Sequence, residues 1–195
     1  MTVVVVGILI TVGAYLAGSF PTASIIGLLS GHDHSKEGSG NPGASNVYRT
    51  SGAIYGILTA VVDAIKGLIP VLVALLVLSR PWASAVWAAA TIGHVAPLAR
   101  WTRGGKGVAT AGGGAIALFP ILSLALIPVF VLIVLVTKRA SVGSLVITGL
   151  LVLGVVILHE NLIEIAAAVV VATLVLLRHR SNIGRLFSGD ELRVG

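Results

Sequence analysis

The chain contains no cysteine in 195 residues, which excludes disulfides, thiolate metal sites, haem thioether attachment and a thioester intermediate. Charge is nearly as scarce: only 10% of residues are Asp, Glu, Lys or Arg, where soluble domains carry roughly 25%. Water is therefore not the main solvent of this chain. Acidic residues are the rarest, seven against thirteen Lys and Arg. A net charge of +6 would suit a nucleic-acid partner, but the basic residues lie in short breaks between apolar runs, so no nucleic acid is expected. Metal catalysis is not expected either, because His32 and His34 have no further ligands at suitable spacing. No long polar stretch is left over for a second domain, so residues 1–195 read as one domain.

What the chain does have is apolar sequence, 56% of residues. Apolar runs fall at about 2–29, 53–78, 82–99, 107–136, 142–158 and 162–177. A membrane-crossing helix needs about 20 such residues. The run 107–136 is long, yet basic breaks flank it on both sides (Arg100, Arg103 and Lys106 before it, Lys138 and Arg139 after it). Positive loops stay in the cytoplasm, so the number of crossings between them is even, and two short passes or a re-entrant pair turning near Phe119-Pro120 fit best. The expected fold is an all-α polytopic transmembrane bundle of seven passes, with the N-terminus outside and the C-terminus cytoplasmic. Eleven of the thirteen Lys and Arg residues then lie on the inner side, and the break holding Glu160 has none.

Three inner segments carry unusual chemistry. The first reads Gly38-Ser39-Gly40-Asn41-Pro42-Gly43-Ala44-Ser45-Asn46, followed by Arg49. Its glycines allow close backbone approach to an anion, and Arg49 adds a forked cation, although a plain flexible turn would share the glycines. The second runs Gly93-His94-Val95-Ala96-Pro97 and then Arg103-Gly104-Gly105-Lys106-Gly107 before an apolar run. A glycine turn with a lysine at a helix N-terminus offers free N–H groups, a helix dipole and a mobile cation. Arg100 and Arg103 read as interfacial anchors. The third is Arg178-His179-Arg180-Ser181-Asn182, where His179 and Asn182 share a face if the last helix continues; a basic anchor is the other reading. Asp63 and Lys66 lie inside an apolar run, and the residues alone fit either a functional pair or a mutually neutralising one.

No Gly-x-Ser-x-Gly elbow is present, and none of His32, His34, His94, His159 and His179 has Asp four residues later. Phosphate binders with one or two histidines remain, at the inner edge of an apolar bundle. In these segments, and in Gly18-Ser19-Phe20-Pro21, Asp63-Ala-Ile-Lys66-Gly67, Gly93-His94-x-x-Pro97, Gly104-Gly-Lys-Gly-Val-Ala-Thr110 and Arg178-His179-x-x-Asn182-Ile-x-Arg185-Leu186, the sequence resembles the acyl-phosphate-dependent glycerol-3-phosphate acyltransferases of bacterial membranes. The match spans nearly the whole chain in order. Lys36 stands where an arginine is expected, and Ser45 replaces the usual threonine.

The resemblance implies transfer of a fatty acyl group from acyl phosphate to the primary hydroxyl of glycerol 3-phosphate. The products would be lysophosphatidate and inorganic phosphate, made at the inner membrane of a bacterium on its cytoplasmic side without cofactor or metal. It further implies that Ser39, Arg49 and Lys106 bind substrate phosphate, that Gly104, Gly105 and Gly107 form a backbone cradle, and that His179 and Asn182 lie near the glycerol substrate. Asn41, Ser45 and Asn46 would shape the first loop. Lys106, His179 and Ser39 are the candidates for catalytic roles, with the acyl group passing directly and no acyl-enzyme formed. The competing reading is a transporter of a phosphorylated metabolite, set within membrane lipids.

Overall fold

The computed structural model describes residues 1–98, 104–158 and 161–194. Arg100 and Arg103, read as anchors, and His159 and Glu160 lie outside the described residues. Among the described residues every regular element is helical. The helices are α1 (Thr2–Gly18), α2 (Thr22–Ser30), α3 (Ala44–Ser51), α4 (Ala53–Val77) and α5 (Arg80–Val95). They continue with α6 (Val108–Leu118), α7 (Pro120–Thr137), α8 (Ala140–Leu158), α9 (Leu162–Arg178) and α10 (Arg180–Ser188).

Each apolar run contains at least one helix, but two runs are broken. The first stretch is not continuous: Pro21 has no N–H to continue the ladder, and the chain turns at Ser19–Pro21 between α1 and α2. The run 107–136 divides at Phe119, as the sequence suggests, into α6 and α7. The stretch 30–52, expected to be a polar break, holds the short helix α3. The last helix does not run straight through the basic segment either; α9 and α10 meet at His179 with a bend of 54°.

Thr2–Ser30 taken together, Ala53–Val77, Pro120–Thr137 and Ala140–Leu158 are long and apolar enough to cross a bilayer. The bent pair α9–α10 would make a fifth such span. Helices α5 and α6, with 16 and 11 residues, are shorter than a full crossing.

The bundle is apolar outside as well as in. Leu9, Ile54, Leu76, Ile121 and Val136 are exposed, and Ser123 is the one buried residue of α7. A soluble protein would bury such side chains; a lipid-facing surface leaves them out. The dry core sits where α1, α4, α5, α6 and α9 meet, around Trp87, whose indole N–H donates to the Ala111 carbonyl at 2.8 Å. Without a hydrophobic drive between helices in lipid, close crossing depends on small residues. A side chain at Gly67 would strike the Thr110 carbonyl of α6, and one at Gly18 the Ala90 carbonyl of α5. These crossings bring the first loop and the α5–α6 turn to the same end of the bundle.

Candidate functional site

At that end a cavity of about 560 Å³ opens between α4, α6, α7, α8 and α9. Its mouth is polar and basic, walled by Ser39, Asn41, Ser45, Asn46, Arg49, Lys106, Gly107, His179 and Asn182. Below them it continues as an apolar slot past Ile57, Ile116, Ile127, Phe130, Leu151 and Val171. The three inner segments thus converge on one site.

The first loop is organised by Asn46, which is buried. Its side-chain amide donates to the His34 and Glu37 carbonyls, both at 3.0 Å. Its Oδ1 accepts from the Ser39 backbone N–H at 2.8 Å and from the Ser39 hydroxyl at 3.1 Å. Arg49 lies one helical turn beyond Asn46 and reaches Ser39 Oγ and Asn46 Oδ1, each at 3.3 Å. These are long contacts to neutral oxygens. Burial holds the Arg49 guanidinium below its ordinary pKa; nearby Glu191 works against that and Arg185 adds to it. A phosphate oxygen would be a far better partner.

Lys106 stands just before α6, whose N-cap Gly107 takes a left-handed conformation with φ of 85°. The opening N–H groups of a helix have no partner inside it, so this turn presents donors beside the ammonium. Burial pushes the Lys106 pKa down to about 8, partly offset by Glu191 and reinforced by Arg185, Arg49 and Arg178. Such a cation gains most from an incoming anion.

Gly104 and Gly105 sit elsewhere. They pack on the end of α5, where a side chain at Gly104 would meet the Val95 carbonyl and one at Gly105 the His94 ring. Their carbonyls accept from Arg178, at 2.6 Å for Gly104 and 3.1 Å for Gly105. In the structure these two glycines shape the turn, while Lys106 and Gly107 meet the cavity.

His179 occupies the α9–α10 bend, fully buried. Its Nδ1 lies 2.8 Å from the Val175 carbonyl, an acceptor only, so Nδ1 carries the proton and Nε2 is left as an acceptor.

Glu191 was not legible as a site residue. Beyond α10, Gly189 turns the chain with φ of 83°, and the tail folds back so that Glu191, Leu192 and Val194 join the cavity wall. Glu191 accepts from Asn182 Nδ2 at 2.5 Å and from Arg185 Nε at 2.9 Å, and the Val194 N–H donates to the Lys138 carbonyl at 2.7 Å. Burial opposes its charge, but the bonds from Asn182 and Arg185 and the nearby Ser141 hydroxyl outweigh it and hold the pKa below the ordinary glutamate value. A single Glu in a basic tail ordinarily stays in water, so only the left-handed turn at Gly189 hinted at its return. Asp63 and His94 also reach the wall, both buried.

With this geometry established, the relatives are informative. Residues 8–189 match the family model described as glycerol-3-phosphate acyltransferase. A glycerol-3-phosphate acyltransferase of Geobacter sulfurreducens is 41% identical over 187 residues, covering 95% of this chain and 96% of that one. One from Trichlorobacter lovleyi is 43% identical over 180 residues, covering 92% and 93%. The fold is similar to crystal structures of PlsY (YgiH), an integral membrane glycerol 3-phosphate acyltransferase. Its glycerol 3-phosphate form matches with a TM-score of 0.92 at 34% identity, over 97% of this chain and 96% of that one. Its lysophosphatidic acid form matches with a TM-score of 0.90. An all-helical integral membrane protein whose basic mouth opens onto an apolar slot, this chain belongs to the glycerol-3-phosphate acyltransferase family.

Proposed function

We propose that this protein transfers a fatty acyl group from acyl phosphate to the primary hydroxyl of glycerol 3-phosphate, releasing lysophosphatidate and inorganic phosphate. The observation that carries the reading is the two-part cavity: a cationic mouth that suits phosphate, continuous with an apolar slot that suits an acyl chain. In this reading Arg49, Ser39 and Lys106 hold phosphate, with Gly104, Gly105 and Gly107 forming the turn beside it. His179 and Asn182 orient glycerol, with His179 Nε2 accepting from a hydroxyl. Asn41, Ser45 and Asn46 keep the first loop in shape. The hydroxyl oxygen attacks the acyl carbon, the acyl–phosphate bond breaks, and the hydroxyl proton passes to the departing phosphate. Lys106 lowers the barrier by meeting charge as it develops on that phosphate. No side chain is acylated.

The site faces the cytoplasm of a bacterial inner membrane, the chain forms one domain of seven passes with its N-terminus outside and its C-terminus inside, and no cofactor takes part. Charge placement supports this orientation: the described loops at the cavity end hold Lys36, Lys106, Lys138 and Arg139, while Arg80 lies at the opposite end beside Glu164.

The test is phosphate release by pure protein. Acyl phosphate with glycerol 3-phosphate should release phosphate and form lysophosphatidate, and initial rates should intersect when both substrates are varied. Acyl-CoA as an equally good donor would refute the donor assignment. Parallel rate lines with an acylated Ser39 would refute direct transfer. A transporter would release no phosphate.

A further inference from the structure

Asp63 and Lys66 have no part in the mechanism above, yet they are an ion pair within α4 at 2.8 Å, 2% and 9% exposed. The Lys66 ammonium has three donors and three oxygens around it. Besides Asp63 Oδ1, it meets the Phe20 carbonyl at 3.0 Å and Thr22 Oγ1 at 3.4 Å. Both lie in the break of the first span, where Pro21 interrupts the helical ladder and the Phe20 carbonyl, which accepts from the Thr22 N–H at 2.9 Å, has its second lone pair turned to Lys66. Lys66 therefore occupies the break from a neighbouring helix.

Asp63 leads in the other direction. Its Oδ1 lies 3.7 Å from His94 Nδ1 near the end of α5, too far for a direct hydrogen bond but close for a charge in apolar surroundings. The His94 carbonyl, one of the last on α5, accepts from the Gly105 N–H at 3.1 Å, and the His94 ring fills the space beside Gly105. The next residue is Lys106. Four pieces of chain stand in sequence: the α1–α2 break, α4 with Lys66 and Asp63, the end of α5 with His94, and the turn that carries the phosphate-binding lysine.

We propose that the Lys66–Asp63 pair, seated in the break of the first span and facing His94, is a positioning device that fixes the 104–107 turn so that the Lys106 ammonium enters the cavity. It rests on the assignment of Lys106 as a phosphate ligand. A pair needed only to hold helices together is replaceable by apolar side chains at little cost. This pair instead reaches the cavity wall through Asp63 and His94. Lys66, Asp63 and His94 are positioning residues, acting through Lys106.

Inorganic phosphate binding to the full-length protein, measured as a double-mutant cycle, tests this. Lys66→Met should weaken phosphate binding about tenfold in the native background and less than about twofold in a Lys106→Ala background, because members of one network are not additive. Asp63→Asn should behave as Lys66→Met does. Asp63→Glu, which keeps the charge, should stay within about threefold of the native affinity. The double variant Asp63→Asn/Lys66→Met leaves no uncompensated charge in the interior, and serves where a single variant fails to fold. Equal fold-losses in both Lys106 backgrounds, native affinity in the double variant, or equal losses for Asp63→Glu and Asp63→Asn would overturn the proposal. Failure of the native protein to bind phosphate would overturn it together with the role of Lys106. A native protein that binds phosphate but transfers no acyl group would refute the reaction alone and leave the positioning role standing.

Discussion

The two ends of the bundle use buried charge in opposite ways. At the far end, Arg80 and Glu164 meet as a fork, with Nε to Oε1 at 2.7 Å and Nη2 to Oε2 at 2.9 Å. Nη2 also donates to the Leu118 carbonyl at 3.0 Å, and the guanidinium lies over the Phe119 ring. That arginine is supplied with a carboxylate, a carbonyl and an aromatic face. At the cavity end, among the described residues, Arg49 reaches neutral oxygens at 3.3 Å, and Lys106 is half-buried near Arg185, Arg49 and Arg178, with Glu191 partly offsetting them. The first arrangement is complete and locks α5, α6 and α9 together; the second becomes complete when an anion arrives. Degree of saturation, more than charge itself, separates the anchor from the site.

Substituting the lysine breaks this comparison most severely. Lys106→Ala should lower kcat/KM for acyl transfer by about 10²–10³, the usual loss on removing one electrostatic donor to a developing charge. The thermal unfolding profile should be unchanged, since no carboxylate depends on this cation in the way Glu164 depends on Arg80. A comparable fall in the unfolding temperature would show that the two ends do not differ in kind.

A smaller effect follows from pH. In its proposed role Lys106 meets phosphate as a cation, and its pKa is lowered to about 8, so kcat/KM should fall as pH rises through about 8, by about tenfold per unit above it. Phosphate monoesters lose their second proton near about pH 6, so the substrate should produce no limb between about pH 7 and 9. Lys106→Arg should shift the alkaline limb upward; a limb that stays in place would assign it to another group.

The smallest effect on catalysis should come from the far end. Arg80→Ala removes the forked partner of the buried Glu164 carboxylate, which is 2% exposed, and should destabilise the fold by about 1–3 kcal/mol, less than for a fully buried pair because the arginine is partly exposed. Activity per folded molecule should remain within about twofold of native, surface and anchor changes away from a site being small in effect. Heat denaturation followed by activity at low temperature separates the two quantities. A large loss of turnover in folded Arg80→Ala would mean that the far end controls the site.

Much of this molecule was legible in its sequence because the bilayer imposes a coarse and one-dimensional rule: apolar runs become helices and basic residues mark the ends. Charge on both flanks required a break in the run 107–136, and the missing N–H of Pro120 placed it. The broken first span was less visible, since an apolar run spans it without a polar residue of high cost, and only the lost N–H of Pro21 and the arrival of Lys66 explain why it stands. Similarly, spacing alone left His179 and Asn182 between a shared helix face and a basic anchor, and the 54° bend between α9 and α10 lies between elements that a helical repeat would have joined.

The class of solvent, the apolar runs, the missing nucleophiles and the three basic inner segments follow from the amino-acid sequence, because each depends on composition or on neighbours a few residues apart. Only the tertiary structure decided which cations are saturated, why Glu191 returns from the tail to the cavity, and that Gly105 serves the packing of His94. These depend on contacts between residues tens of positions apart, where burial turns an ordinary charge into either a lock or a binding site.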